Sequence, residues 1–160
     1  MIDADSVGHS VLENEGFEAV SERWPQVVAG GDIDRKTLAA IVFADPQQLA
    51  ELEAITHPLI FGRIQAELEG FDEIAVVEMP LIDTDLGWPS IVVDAADEVR
   101  VQRVVNRGMD ESDAKRRMGS QPTRGEWLAS ADVVVPNHGS LEDLKQTVMK
   151  LASLLRSPGG

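Results

Sequence analysis

Three short apolar runs constrain the fold more than any other feature of the chain: Ile74-Ala75-Val76-Val77, Ile91-Val92-Val93 and Val133-Val134-Val135. Each is rich in β-branched residues, no longer than four residues, and bounded by charged or turn residues. None shows polar alternation, which is how strands covered on both faces of a parallel sheet read. Stretches of helical spacing separate them. Glu98 to Asn106, Asp110 to Met118 and Thr123 to Ala129 are expected helices. Ser140-Leu141-Glu142-Asp143 resembles a capping box opening a last helix that carries Leu144, Val148, Leu151, Leu154 and Leu155. Strands alternating with helices imply an α/β fold with right-handed crossovers.

The first half follows a different pattern. Ile2 reads as the last residue of a buried strand that opens onto Asp3-Ala4-Asp5. Val7, Val11 and Leu12, then Phe17, Val20 and Trp24, have helical spacing, and Gly30-Gly31-Asp32 breaks it. Asp34 is placed to N-cap a helix bearing Leu38, Ile41, Val42 and Phe43. Asp45-Pro46 starts another, with the proline where its missing N–H does no harm. Leu49, Leu52, Ile55, Leu59, Ile60 and Ile64 continue that helix to Leu68. Pro58 removes one helical hydrogen bond, so the expectation is two helices meeting at an angle.

Composition narrows the functions available. A chain of 160 residues suffices for one compact domain that buries roughly 70% of its unfolded surface. The net charge of −14 argues against nucleic acid and against an anionic membrane surface as partners. There is no cysteine, and His9, His57 and His138 are far apart. Thiol catalysis is thereby excluded, and a histidine metal site is not expected. No apolar run is long enough for a membrane-spanning helix and no signal segment opens the chain, so a soluble cytoplasmic protein is the expectation.

One stretch departs from the acidic background. Between Arg100 and Arg124 lie seven of the fourteen Lys and Arg residues (Arg100, Arg103, Arg107, Lys115, Arg116, Arg117 and Arg124), against the acids Asp110, Glu111 and Asp113. A local positive island on a negative body suits a small polyanion such as the phosphates of a nucleotide. A solvated helical face of mixed charge is the plainer alternative. Arg103 and Arg107 stand four apart, so on one helix they would share a face and grip a phosphate chain together. Ligands of parallel α/β sheets bind outside the strands' carboxyl ends. The residues expected there are Asp3-Ala4-Asp5, Glu78-Met79-Pro80, Asp94-Ala95-Ala96 and Pro136-Asn137. Acids and an amide suit a hydroxyl substrate and a magnesium ion better than an apolar ligand.

Several short motifs then occur in one order: Asp3-Ala4-Asp5, Phe43-Ala44-Asp45-Pro46, His57-Pro58-Leu59-Ile60, Pro80-Leu81-Ile82, Arg103 with Arg107-Gly108-Met109, Gln121, Ala131-Asp132 and Asn137-His138-Gly139-Ser140-Leu141. In that order they resemble the dephospho-coenzyme A kinases, over nearly the whole chain from Ile2 to about Leu155. The resemblance implies a P-loop nucleotide-kinase-like fold with a parallel sheet flanked by helices. It implies one domain over 1–160, with a helical substrate-binding part at about 6–70 and a lid at about 107–130. The implied reaction moves the γ-phosphate of ATP, carried with Mg²⁺, to the ribose 3′-hydroxyl of dephospho-coenzyme A.

By the same resemblance Asp5 is the base or orienter for that hydroxyl, with Asp3 nearby. Arg103 stabilises charge on the transferring phosphoryl group. Arg107, Gln121 and Arg124 belong to the lid over ATP, Asn137 lies near the adenine, and His57, Pro58 and Pro80 belong to the substrate site. Structural readings stand beside these. Asp5 could simply cap a helix beginning at Ser6, His57 could be a hydrogen-bonded structural histidine, Arg103 could be a surface arginine, and Trp24 and Trp127 read as packing residues.

The chain also departs from the family. No G-x-x-x-x-G-K-[ST] occurs in it, whereas the family places that loop, with a strand and a helix, before Asp3. The expectation is that first strand, P-loop and first helix are absent, that apolar sheet surface is exposed, and that this chain alone has little kinase activity. A misplaced start, with Met1 standing for an internal valine codon, would account for it. A non-catalytic binder of coenzyme A-type ligands and a kinase for another nucleotide are the alternatives. Trp127 stands where the family carries Lys or Arg, leaving Arg124 to supply that charge. Glu78 stands where Asp is frequent, and Thr84 where Glu is expected, so Asp83 or Asp85 would have to substitute there.

Overall fold

A computed structural model describes residues 1–79 and 87–156. The chain divides into two compact units, Met1–Pro80 and Leu81–Gly160.

The first unit opens with β1 (Ile2–Asp3), α1 (Ala4–Glu13) and α2 (Phe17–Arg23). A short 3-10 turn (Pro25–Val27) leads to β2 (Val28–Ala29) and β3 (Asp32–Ile33), then α3 (Arg35–Val42), α4 (Pro46–Leu68) and β4 (Val77–Glu78). Strands β1 and β4 are parallel, pairing Ile2 with Val77 and Asp3 with Glu78. Of the run Ile74–Val77 only Val77 is in a strand, and Ile74 and Val76 are exposed. The break at Gly30-Gly31 is a hairpin: Val28 pairs with Ile33 and Ala29 with Asp32. Both glycines have positive φ, 66° and 97°, as a two-residue type I′ turn requires.

Two clusters form the core of this unit. Val20, Trp24, Val27, Ile33, Leu38 and Val42 make the first; Val7, Val11 and Ile64 make the second. Trp24 is thus a packing residue, 1% exposed, with its indole N–H donating to Gln48 Oε1 at 2.8 Å. Gly8 lets α1 approach α4, because a Cβ there would already lie 3.3 Å from Ile60 Cδ1.

Helix α4 corrects the expectation of a break at His57-Pro58: it runs unbroken for 23 residues with Pro58 inside it. A proline in a helix interior costs about 3 kcal/mol, and packing on both sides of it offsets that cost. Leu49, Leu52 and Ile55 pack on the first cluster, whereas Leu59, Ile60, Ile64 and Leu68 belong to the second. Pro58 lies at the changeover, on the exposed side.

The second unit is β5 (Ile91–Asp94), α5 (Asp97–Val105), α6 (Glu111–Gly119), α7 (Arg124–Ala129), β6 (Val133–Pro136) and α8 (Leu141–Arg156). Strands β5 and β6 are parallel and in register from Ile91 with Val133 to Asp94 with Pro136. The helix starts follow from local chemistry. Asp110 accepts from Ser112 N and Asp113 N, Thr123 and Glu126 form a capping box, and Ser140 and Asp143 exchange bonds at the head of α8.

The reading of these strands as covered on both faces needs correction. Ile91, Val93 and Val134 are exposed, whereas Val135 and Asp94 are buried. Because Val93 pairs with Val135, one face is covered at β6 and open at β5, and the other face is the reverse at Asp94 and Val134. Absence of polar alternation therefore did not mean two-sided cover. Helix α8 likewise leaves Leu141, Val148, Met149, Leu154 and Leu155 exposed.

Candidate active site

In the first unit the parallel pairing of β1 and β4 sets Asp3 beside Glu78 at the strands' carboxyl ends. Helix α1 begins there, at Ala4, one turn's start earlier than expected. Its N-cap is Asp3, not Asp5: Asp3 Oδ1 accepts from Asp5 N at 3.0 Å and Ser6 N at 3.3 Å, and Oδ2 accepts from Ser6 Oγ at 3.0 Å. The Ser6 backbone N–H, then its hydroxyl, hold the Asp3 carboxyl below its ordinary range, and His9 adds to this. Asp5 lies in the first turn, exposed, and its carboxylate has no hydrogen-bond or ion-pair partner among the described residues. The capping role considered for Asp5 is thus filled by Asp3, which leaves the Asp5 carboxylate available.

His57 is half-buried on α4, its ring tilted against Phe61 with centroids 5.8 Å apart. No hydrogen bond holds that ring among the described residues. Pro58 follows it on the exposed side of α4, and Pro80 lies outside the described residues.

In the second unit the basic island divides by pairing. Arg100 meets Asp97 at 3.3 Å and also donates to Gln121 Oε1 at 3.2 Å. Lys115 pairs with Glu111 at 2.6 Å, which raises the lysine's pKa, and Arg116 pairs with Asp113 at 2.7 Å. Arg124 grips Asp94 with two hydrogen bonds of 2.6 Å, Nε to Oδ1 and Nη2 to Oδ2. Arg103, Arg107 and Arg117 have no acidic partner among the described residues. Among the described residues, theirs is the part of the island's charge without an ion pair.

The proposed helix-face pairing of Arg103 with Arg107 is altered by where α5 ends. The helix stops at Val105, and Arg107 sits in the closing turn. Gly108 takes φ 95° and donates its N–H to Val105 O, while Met109 N–H reaches Val104 O. That is a Schellman-type exit. Arg103 is in the last helical turn, half-buried.

Asp94 ends β5 and is 7% exposed. The Arg124 hydrogen bonds chiefly hold its carboxyl below the ordinary range, with further help from the charges of Arg124, His138 and Arg100. His138 Nε2 lies 3.3 Å from Asp94 Oδ2, and the Asp94 carbonyl accepts from Asn137 N at 2.7 Å. Asn137 is thereby fixed just past the end of β6. Asp132, part of the motif Ala131-Asp132, holds the start of β5: its Oδ2 accepts from Ser90 N at 2.7 Å and Ser90 Oγ at 2.9 Å.

The sequence model of the family described as CoaE, dephospho-CoA kinase, matches residues 1–143. The chain belongs to the dephospho-CoA kinase family. A dephospho-CoA kinase of Streptomyces avermitilis is 40% identical over 160 residues, which takes in 92% of this chain and 78% of that protein. One from Dehalococcoides mccartyi is 35% identical over 165 residues, 95% of this chain and 83% of its own length. Among solved structures, one from Thermus thermophilus superposes with a TM-score of 0.83 at 31% identity, covering 98% of this chain and 84% of that one. The dephospho-CoA kinase from Campylobacter jejuni gives 0.68 at 26% identity, covering 95% and 82%.

Membership makes the chain a transferase of the kinase type and agrees with the α/β architecture of parallel strands flanked by helices. All the residues selected from the sequence fall within the span matched by the dephospho-CoA kinase model. Among the described residues no helix is long and apolar enough to cross a membrane. The residue that sequence reasoning passed over is Asp94. It appeared only as one acid at a strand end, and its partner is 30 positions away.

Proposed function

We propose that this protein transfers the γ-phosphoryl group of ATP, bound with Mg²⁺, to the ribose 3′-hydroxyl of dephospho-coenzyme A, the last step in making coenzyme A. The ribose 3′-oxygen attacks the γ-phosphorus, the bond to the β–γ bridging oxygen breaks, and ADP leaves. Asp5 accepts or orients the hydroxyl proton, and Asp3, held in place by its capping bonds, fixes the turn that carries Asp5. Arg103 meets the charge that spreads over the equatorial oxygens in the transition state. Arg107, Gln121 and Arg124 contact ATP from the lid at about 107–130, and Asn137 borders the adenine. His57, Pro58 and Pro80 line the acceptor's site in the part at about 6–70.

The observation that carries this reading is the uneven pairing of the basic island. In a chain of net charge −14, Arg103 and Arg107 are left without an acid among the described residues, as an anion site needs. Among those residues no three His, Asp or Glu side chains gather as a metal cage, and magnesium enters this scheme as part of the nucleotide. A cytoplasmic setting goes with ATP as donor.

The test is incubation of the purified protein with Mg·ATP and dephospho-coenzyme A, with coenzyme A and ADP measured by mass spectrometry. Coenzyme A and ADP are expected in equal amounts but formed slowly by this chain, which carries no G-x-x-x-x-G-K-[ST] loop to hold the phosphates. Phosphorylation of AMP in preference to dephospho-coenzyme A would replace the acceptor in this reading. Tight binding of dephospho-coenzyme A with no turnover would replace the enzyme by a binding protein.

A further inference from the structure

We propose that Asp94 is a positioning residue for Arg124: gripping the Nε–Nη2 edge of the guanidinium from a buried place at the end of β5, it presents the Nη1–Nη2 edge to the phosphates of the nucleotide. This rests on the functional reading above, in which Arg124 meets ATP.

The geometry is a two-pronged pairing of a planar fork with a carboxylate, Nε to Oδ1 and Nη2 to Oδ2, both at 2.6 Å. A guanidinium carries five N–H donors in a fixed plane. Two are spent on Asp94; of the other three, one on Nη2 and one on Nη1 form the tip of the fork, and the second on Nη1 points to the side away from the Nε–H. No acceptor among the described residues takes them. The two sides of the pair also differ in their access to solvent. The Asp94 side chain is 7% exposed and that of Arg124 is 41% exposed. The acid is thus covered while the cation keeps access to solvent, where a ligand can reach it.

Asp94 is itself well anchored. It is the last residue of a strand in register with β6, its carbonyl takes the Asn137 N–H, and its Oδ2 also faces His138 Nε2 at 3.3 Å. Arg124 is the first residue of α7 and lies within the Thr123–Glu126 capping box, so its backbone is fixed as well. A side chain with several free rotations is thereby held in one orientation before any ligand arrives, and the ordering cost on binding falls. A lysine ammonium has three donors on one nitrogen and no planar fork, so it could not be held side-on by the acid in this fixed orientation.

The experiment uses the full 160-residue chain, with ¹⁵N-detected arginine Nε–H spectra, calorimetric titration with Mg·ATP, and thermal melts by circular dichroism. Wild type is expected to give a sharp, exchange-protected Arg124 Nε–H signal that shifts when Mg·ATP is added. Asp94→Asn should abolish the protection and weaken Mg·ATP binding roughly tenfold, the size of one charge-assisted hydrogen bond. Asp94→Glu should restore part of both, and Asp94→Asn combined with Arg124→Ala should bind no more weakly than Arg124→Ala alone. If Asp94→Asn does not fold, the wild-type signal and Asp94→Glu decide.

A protected signal indifferent to Mg·ATP would overturn the role, as would a folded Asp94→Asn that binds like wild type or losses that simply add. Wild type that binds no Mg·ATP removes the functional reading and this role with it. Intact wild-type binding that ignores Asp94→Asn removes this role alone.

Discussion

Arg124 and Asp94 join the first residue of α7 to the last residue of β5 through two parallel hydrogen bonds. The pair has a pH signature with a definite sign. The Asp94 carboxyl is held below its ordinary value of 3.8, so its folded pKa is lower than its unfolded one. Its contribution to stability is therefore complete above 3.8 and is lost as pH falls through the lower folded value. Asp3, Asp34, Asp110, Asp132 and Asp143 shift the same way, so whole-protein acid unfolding cannot isolate it. The difference in melting temperature between wild type and Asp94→Asn can. It should be several degrees and constant from neutral pH down towards 3.8, then shrink as the solution becomes more acidic.

Trp24 is the largest fully buried side chain of the first unit. Trp24→Ala should cost about 3–5 kcal/mol in urea unfolding. Trp24→Phe keeps most of the apolar contact but leaves Gln48 Oε1 without its 2.8 Å donor, and should cost less, about 1–3 kcal/mol.

Pro58 offers a separation of stability from function. Pro58→Ala restores an N–H able to reach the Ala54 carbonyl and removes the ring's clash, so stability in urea should rise by about 1–3 kcal/mol. If the proline shapes the acceptor's site, KM for dephospho-coenzyme A should rise at the same time. Unchanged KM with higher stability would make Pro58 purely structural.

The two residues given the chemistry should lose rate rather than affinity. Arg103→Ala is expected to lower kcat roughly a thousandfold, and Asp5→Asn about a hundredfold or more, with KM for ATP changed little. Steady-state assays at saturating acceptor read both. An Arg103→Ala enzyme with full kcat would place Arg103 among surface arginines.

What was legible in the sequence was mostly local. Asp34, Asp45-Pro46 and Ser140 with Asp143 announced their helices because an N-cap bonds N–H groups two or three residues ahead. The hairpin at Gly30-Gly31 carried a local sign too, but strands of two residues are too short for alternation to appear. Gly108 likewise marked where α5 ends, and the four-residue spacing of Arg103 and Arg107 concealed it. Pro58 misled because core packing on either side outweighs a local penalty. The unequal cover of Val93 and Val135 could not be read from runs that look alike. Asp94 was hidden for a third reason: its partner is distant in sequence, and no spacing rule links a strand's last acid to an arginine two helices later.

Helix α4 has one further consequence. Because a single rod supplies side chains to both apolar clusters of its unit, neither cluster can melt while the other stays whole. Heat or denaturant should dismantle residues 1–79 in one step, and a protease able to cut near Gly62 would have to wait for that whole step before finding its bond.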